Sequence, residues 1–471
     1  MTAVSEAPQR DAGAPVADRR DEQPDGPAKS DARPAARAAL FAVWSAKAVA
    51  STGRTVSVVA LPWFVLQITG SGTQTGLAVA SSGLGIALVG FFAGALIDRT
   101  GAKRSSVGSL VIAGSAIGLV PLLFRLDVLA LWQLLALVFV ASALDSVASV
   151  AVEALVPDAA RAARVSLESA NAVLAAIDRF ALLIMPVVAG VALALLGADT
   201  VLWVDTAACL VAAVLLLAVV PGRRRPDAPP AAQPAAAAGS AGAADTPAAA
   251  QADTATAPSG VRGYGRSLRD GLAVLWRDRL LVALTLVGTA LNTLISSLYS
   301  IVLLAYAAEV FGSALHFAGM LAAVGGGALA GALLFAVVAR RLPRRAWLLI
   351  SCFGTAGTVL ALAAIPGPVG TAVLMAASGL VMAPLGPLVA TAFQERTPAT
   401  ALGRVLSARN ALMLAGIPVG GLLAGVLLDV AGLTGTILVI GLLTAAVATV
   451  AVGLPALRGL DAPRRDSAVP A

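Results

Sequence analysis

Charged residues are scarce in this chain of 471 residues: Asp, Glu, Lys and Arg make up 13% of it. A soluble domain carries about 25%. The charge-free runs are long, as in Ser105–Phe124 and Thr206–Gly222. Because roughly 20 apolar residues cross the hydrocarbon core of a bilayer, this scarcity excludes a soluble domain and predicts a protein that spans the membrane many times.

Histidine and cysteine are also rare, with one and two copies respectively. Cys209 and Cys352 both lie within apolar runs, so the sequence predicts no disulfide framework. It contains no metal-ligating motif, no nucleophile beside a base, and no glycine-rich loop ending in Gly-Lys-Ser or Gly-Lys-Thr that would hold ATP phosphates. We therefore expect neither an enzyme nor a metal site nor a cofactor.

Apolar sequence is abundant instead, at 58% of the residues. The short alternating segments of an outer-membrane barrel are not found, so the spans are predicted to be helices. Ala, Leu, Val and Gly dominate them, which suits close helix packing in lipid. The expected fold is an all-α membrane protein with twelve transmembrane helices, near residues 40–68, 76–97, 105–124, 129–152, 168–197, 200–221, 280–308, 317–339, 346–365, 370–393, 405–428 and 434–455.

The basic residues of the short links predict the orientation. If the N-terminus is cytoplasmic, Arg125 is the one basic residue of the outside links. The inside links then hold Arg99, Lys103, Arg104, Arg161, Arg164, Arg340, Arg341, Arg344, Arg345, Arg396 and Arg404. This bias places both termini in the cytoplasm and the protein in the plasma membrane. It also attributes the net charge of +7 to contact with anionic lipid rather than with nucleic acid.

Composition divides the chain into five parts. Residues 1–36 and 458–471 are polar and are expected to be cytoplasmic tails, the first of them disordered. A Pro/Ala/Thr-rich linker at 222–262, also expected to be disordered, separates a six-helix bundle at 37–221 from a second unit at 263–457. At the start of that unit, in Arg262–Arg279, one helical face carries Leu268, Leu272, Leu275 and Trp276, opposite Arg266, Arg269, Arg277 and Arg279. We expect an amphipathic helix on the inner membrane surface, with a plain extension of span 7 as the alternative.

The two bundles share a short sequence pattern. Residues Ala189–Gly197 and Ala424–Gly432 share the pattern A-G-V-x-L-x-x-x-G. A repeat at this separation predicts two pseudo-symmetric halves.

The link Gly94–Arg104 carries the most specific motif. It resembles the loop between helices 2 and 3 of major facilitator superfamily transporters, which reads G-x-L-x-D-R-x-G-R-[KR]-x. The matching residues are Gly94, Leu96, Asp98, Arg99, Gly101 and Lys103, whereas Ala102 departs from the pattern. The resemblance implies a conformational gate formed by Gly94, Asp98, Arg99, Gly101, Lys103 and Arg104. The alternative is that these residues only anchor the topology.

Softer similarities point to the macrolide- and siderophore-exporter branch of that superfamily. They are Val59–Leu66, Leu155–Asp158 and Ser267–Gly271. The resemblance to this branch implies secondary active transport by alternating access, with proton-coupled efflux of a small amphipathic compound such as a drug, an antibiotic or a natural product.

Charges within the spans are costly and therefore informative. Lys47 and Arg54 lie seven residues apart on one face of span 1. Arg54 lies about 21 Å along the helix from Leu40, at 1.5 Å per residue, so we expect it to face a central cavity. Lys47 either faces that cavity or reaches the inner interface. This cationic stripe suggests substrates with an anionic group.

Asp178 and Arg179 on span 5 are predicted near the midplane, either in the proton pathway or in a structural ion pair with span 1. Since a carboxylate withdrawn from water can bind a proton near neutral pH, Asp178 is the first candidate for the proton carrier, ahead of Asp145. Asp205 is expected near the outer start of span 6, and Glu153 at the membrane interface.

Asn292, in the middle of span 7, either contacts substrate or bonds another helix. With Lys47, Arg54, Asp145, Asp178, Arg179 and Asp205 it completes the predicted substrate and proton pathway.

The sequence is compatible with three functions. The first is export of a small molecule by a monomer that lies in the bilayer. The second is import of a nutrient or siderophore on the same fold. The third is a membrane sensor or lipid-handling scaffold that transports nothing.

Overall fold

The computed structural model describes residues 32–219, 261–364 and 367–461, and within these ranges the chain is helical throughout with short connections. Residues Ala399–Gly453 form one run that Gly432 divides by a non-helical backbone. The helices are α1 Ala32–Thr69, α2 Gly72–Thr100, α3 Ala102–Arg125, α4 Leu131–Ala163, α5 Leu167–Leu196, α6 Ala198–Val219, α7 Val261–Arg277, α8 Arg279–Phe311, α9 Ala314–Val338, α10 Arg344–Leu362, α11 Pro368–Arg396, α12 (399–431) and α13 (433–453).

The expected number of spans is confirmed. Ten helical segments of the described chain are long and apolar enough to cross a membrane, and one of these is the run that Gly432 divides. Helix α2, with 29 residues, adds the twelfth span. The protein is therefore an all-α membrane protein with two six-helix halves, α1–α6 and α8–α13.

Some predicted boundaries are wrong by a few residues. Helix α1 begins at Ala32, inside the segment assigned to the N-terminal tail (1–36), because its alanine-rich start has high helix propensity. Helix α7 begins at Val261, so the last two residues of the predicted linker are helical. The C-terminal unit continues past 457 to a 3₁₀ turn, Pro455–Leu460, whose Leu460 is buried. Residues 1–31, most of the linker (220–260) and 462–471 lie outside the described residues.

Helix α7 is a separate element rather than an extension of span 7. Asp278 breaks the helix with an extended backbone, and its carboxylate accepts a hydrogen bond from the Leu280 backbone N–H, 2.8 Å away, to cap α8. Of the residues expected on its apolar face, Leu275 is buried, whereas Trp276 is exposed. At Gly271, helix α7 packs against the backbone of α12.

The two ends of the bundle are packed differently. We call the end where α1 joins α2 the Gly70 end, and the opposite end, where α2 joins α3, the Gly101 end. At the Gly70 end a single apolar cluster takes residues from both halves, among them Phe64, Tyr306, Phe317 and Ile437. At the Gly101 end each half keeps its own cluster. Within the described residues, the apolar cluster that both halves share therefore lies at the Gly70 end.

Two pairs of helices join the halves, α2 with α12 and α5 with α9. Within the C-terminal half, α9 and α11 cross so closely that a side chain at Gly327 would collide with the backbone carbonyl of Ala376. Gly379 meets the carbonyl of Val324 in the same way. Small residues thus set the distance between these helices, as is common in membranes.

Helix α8 contains two π-helical turns, Leu298–Val302 and Ala307–Phe311. The residues from Leu303 to Ala307 are fully buried in the cluster that both halves share. Such wide turns are rare and are frequently found at functional sites.

Candidate functional site

The Gly101 link is as short as its motif predicts. Gly101 alone separates α2 from α3, with φ of 87°, a conformation that favours glycine. Lys103 donates a hydrogen bond to the Leu217 carbonyl of α6, 3.0 Å away, within its own half. Arg99 and Arg104 are exposed. The side chain of Asp98 and the surroundings of Gly94 lie outside the described part of the structure.

Lys47 is buried inside the N-terminal half, with 3% of its surface exposed. Its Nζ lies 2.7 Å from Glu153 Oε1, 3.4 Å from Asp178 Oδ2 and 3.0 Å from Ser149 Oγ. The alternative that Lys47 reaches the interface is therefore wrong. Glu153, whose side chain is 28% exposed, pairs with the ammonium group of Lys47, and its position relative to the membrane interface stays a prediction.

Arg54 lies two helical turns further along α1. Its guanidinium is 3.4 Å from Asp145 Oδ2 on α4 and also 3.4 Å from Ser51 Oγ. Ser51 in turn donates to Asp178 Oδ1 at 3.1 Å. Helices α1, α4 and α5 thus carry one continuous chain of charged and polar groups, which we call the charge chain: Asp145, Arg54, Ser51, Asp178, Lys47 and Glu153.

A small cavity lies beside the charge chain. Its polar lining includes Lys47, Ser51, Arg54, Asp145 and Ser149, and its volume is about 10 Å³. A space of this size with several polar partners holds about one water molecule. It is far too small for a drug-sized molecule.

Other predicted residues make their hydrogen bonds outside the charge chain. Asp205 is buried on α6, where it accepts a hydrogen bond from Ser57 of α1 and lies near the thiol of Cys209. Arg179 is exposed, although its neighbour Asp178 is not. Asn292 donates to the Met413 carbonyl of α12 at 3.1 Å, which is the interhelical bond that the sequence left as one of two options.

A larger, apolar cavity lies in the C-terminal half, towards the Gly101 end. It forms between α9 and α11 where the two helices diverge from their crossing, and its volume is about 290 Å³. Ligand sites for drug-sized molecules begin at roughly 300 Å³ and are mostly apolar. Its lining is formed by Ala332, Phe335, Ala336, Pro387, Ala390, Thr391 and Gln394.

Several residues of the site had not been singled out as functional. Ser51 and Glu153 belong to the charge chain, Ser149 accepts a hydrogen bond from Lys47 beside it, and in the C-terminal half Arg409 lies over the ring of Phe393 at 5.3 Å. Helical spacing could have found the first three. Lys47, Ser51 and Arg54 fall on one face of α1, and Asp145, Ser149 and Glu153 are each four residues apart on α4.

The sequence matches a known family over almost its whole length. The model of the Major Facilitator Superfamily matches residues 43–410 and 285–469. The multidrug efflux pump Tap of Mycobacterium tuberculosis is 30% identical over 439 residues, which cover 91% of this chain and 97% of that protein. The pump of the same name from Mycolicibacterium fortuitum is 28% identical over 432 residues, covering 90% and 98%.

Solved transporters share the fold at low sequence identity. The nucleoside transporter NupG superposes with a TM-score of 0.67 at 10% identity, covering 88% of this chain and 98% of its own. A bacterial homologue of the human lysosomal transporter Spinster, in an inward-facing and unoccupied conformation, gives a TM-score of 0.68 at 13% identity, covering 91% and 98%. The family match, the relatives and the twelve-helix architecture agree, and the chain belongs to the Major Facilitator Superfamily.

Proposed function

We propose that this transporter exports small amphipathic compounds across the plasma membrane by alternating access, in exchange for protons. The observation that carries the proposal is the charge chain, which threads the interior of the N-terminal half. Charged groups in a membrane interior are expensive and usually mark an ion or substrate pathway. The relationship to a multidrug efflux pump supports export rather than import.

The larger cavity, between α9 and α11, is the proposed place for the apolar part of the compound, since its volume of about 290 Å³ is close to that of drug-sized ligand sites. The cavity beside the charge chain has room for about one water molecule, so the charge chain would influence the substrate through its charge rather than as a wall of the site. The cations of the charge chain do not favour anionic substrates, because the carboxylates of Asp145, Glu153 and Asp178 outnumber Lys47 and Arg54. We therefore propose neutral or cationic compounds, in place of the anionic ones that the cationic stripe suggested.

Asp178 is the proposed proton carrier. Its carboxylate is shared between Lys47 at 3.4 Å and Ser51 at 3.1 Å, a weaker hold than the 2.7 Å pairing of Lys47 with Glu153. If Asp178 binds a proton, Lys47 keeps Glu153 as its partner and remains neutralised. Proton binding at Asp178 would thus loosen the contact between α1 and α5 without leaving a buried cation unpaired.

The packing of the two ends is consistent with one of two alternating states. We propose that the Gly101 end, with its basic links and both termini, faces the cytoplasm, and that a monomer suffices for transport. The halves are closed at the Gly70 end, so this state would accept substrate from the cytoplasm. In the opposite state, the loop from Gly94 to Arg104 would act as the gate that closes the Gly101 end.

Inside-out vesicles with an imposed pH gradient test the proposal, with ethidium as the probe. We expect proton-driven accumulation of ethidium, and loss of the dependence on the gradient in Asp178→Asn. The matched control is Asp127→Asn, which makes the same change of charge in an exposed link and should leave transport intact.

Other results would contradict the proposal. If Asp178→Asn keeps its dependence on the gradient, Asp178 is not the carrier. Movement of a nutrient or siderophore in the opposite direction would favour the importer. Saturable binding without any flux would favour the sensor or scaffold.

A further inference from the structure

The repeated pattern A-G-V-x-L-x-x-x-G marks the two places where the halves meet. Its second copy puts Gly425 of α12 against Gly72 and Gly76 of α2. Its first copy puts Gly190 of α5 against Ala318 of α9. A side chain at either glycine would collide with the facing helix. Each copy therefore forms a seam between the halves near the Gly70 end, and we call them the α2–α12 seam and the α5–α9 seam.

The two seams differ at one position of the repeat. The sixth residue is Asp429 in the α2–α12 seam and Ala194 in the α5–α9 seam. Asp429 accepts hydrogen bonds from the backbone N–H groups of Gly72 at 2.6 Å and Thr73 at 2.9 Å, and from the Ser71 hydroxyl at 2.8 Å. A carboxylate of one half thus caps the first turn of a helix in the other half.

The hydrogen bonds that Asp429 accepts are expected to be strong, because an ionised carboxylate meets the N-terminus of a helix. The first N–H groups of a helix have no partner within the helix, and the N-terminus carries a partial positive charge. An ionised acceptor makes hydrogen bonds roughly twice as strong as a neutral one. The equivalent helix start in the α5–α9 seam has Ser313 as its N-cap, whose side chain makes no capping bond. Within the described residues, the capping contact of Asp429 thus has no counterpart at Ser313.

Resting on the proposed alternating access, we propose that Asp429 is a latch that holds the Gly70 end closed and must release α2 whenever that end opens. Opening separates α2 from α12 and leaves three donors to be solvated. Asp429 is exposed at the edge of the seam, so water can replace it. That position suits a contact that breaks and reforms in every transport cycle. The α2–α12 seam then determines how readily the Gly70 end opens, while the α5–α9 seam only slides apart.

Distance measurements between spin labels test the latch without relying on transport. One label is placed at Trp132, at the start of α4, and one at Val369, at the start of α11. Both are exposed at the Gly70 end and belong to opposite halves. The background carries Cys209→Ser and Cys352→Ser so that only the two introduced cysteines are labelled.

We expect Asp429→Ala to raise the ratio of long to short distances about fivefold, the usual effect of removing a helix cap. Asp429→Asn should give a smaller rise, and Ser71→Ala, which removes one donor of three, a smaller rise still. The control Asp127→Asn makes the same charge change at the same end of the molecule and should leave the distribution unchanged.

The latch is overturned if the Asp429 variants give the same distances as the wild type and Asp127→Asn. A rise in the long distance together with no ethidium export would support the latch and contradict the proposed substrate class. The two proposals can therefore fail separately.

Discussion

The two halves of the transporter share a fold but are held together inside by different means. In the N-terminal half, helices α1, α4 and α5 are joined by the charge chain, in which the buried Lys47 is held by partly exposed carboxylates. In the C-terminal half, α9 and α11 are joined by glycines that bring their backbones into contact. Charges that exchange partners can respond to a proton, whereas a glycine crossing is fixed. We infer that one half handles the coupling ion while the other provides a rigid wall.

The largest expected effect on stability comes from breaking the charge chain of the N-terminal half. Lys47→Met removes the cation that serves both Glu153 and Asp178 and leaves two carboxylates without it. Removing one partner of a buried ion pair costs about 3–5 kcal/mol. We expect a marked loss of thermal stability in detergent. Arg37→Met removes an exposed cation from the same helix and should have little effect. Equal melting temperatures for the two variants would show that the charge chain does not stabilise the fold.

The next effect tests the glycine crossing. Gly327→Ala would push a methyl group into the carbonyl of Ala376, and overpacking of this kind costs about 1–3 kcal/mol. Its neighbour Gly326 faces open space, so Gly326→Ala should be neutral or stabilise the helix by up to about 1 kcal/mol. The melting temperature of the purified Gly327→Ala variant should therefore fall, whereas that of Gly326→Ala should stay the same or rise. A shared shift would mean that α9 and α11 are free to separate.

The smallest expected effect on stability comes from removing a polar contact in the C-terminal half, where the charge chain has no part. Asn292→Ala removes the hydrogen bond to the Met413 carbonyl, and interhelical bonds in membranes average about 0.6 kcal/mol. We expect a slight loss of stability and unchanged transport of ethidium. A large loss of transport with unchanged stability would instead place Asn292 in the substrate site.

Features that depend on one segment at a time could be predicted from the sequence. The charge-free runs located the spans, and the one-residue turn at Gly101 followed from its motif. Lys47, Arg54, Asp145 and Asp178 were singled out because each is a charge inside a span. Their partners depend on how α1, α4 and α5 are rotated about their axes, which the sequence of one helix does not determine.

Asp429 was missed for another reason. It lies at the end of a span, where an acidic residue is unremarkable, and two of its three partners are backbone N–H groups. Every residue except proline has a backbone N–H group, so the residue types do not reveal which of these groups bond a carboxylate. The repeat did give a signal, because Asp429 stands where the first copy has Ala194. A break in a repeat can thus mark the place where two similar halves perform different tasks.

The π-helical turns of α8 have a consequence for how this helix serves both halves. A π turn inserts about one extra residue, which rotates everything beyond it by about 100° around the helix axis. Before the first turn, Leu284 and Leu291 pack inside the C-terminal half; beyond it, Leu304 and Tyr306 pack where the halves meet. Beyond the first turn the helix is buried on every side, because Leu303 to Ala307 are all fully buried. Shifting the extra residue by a few hydrogen bonds would rotate this buried segment against both halves, while the apolar stripe before the first turn stays in register.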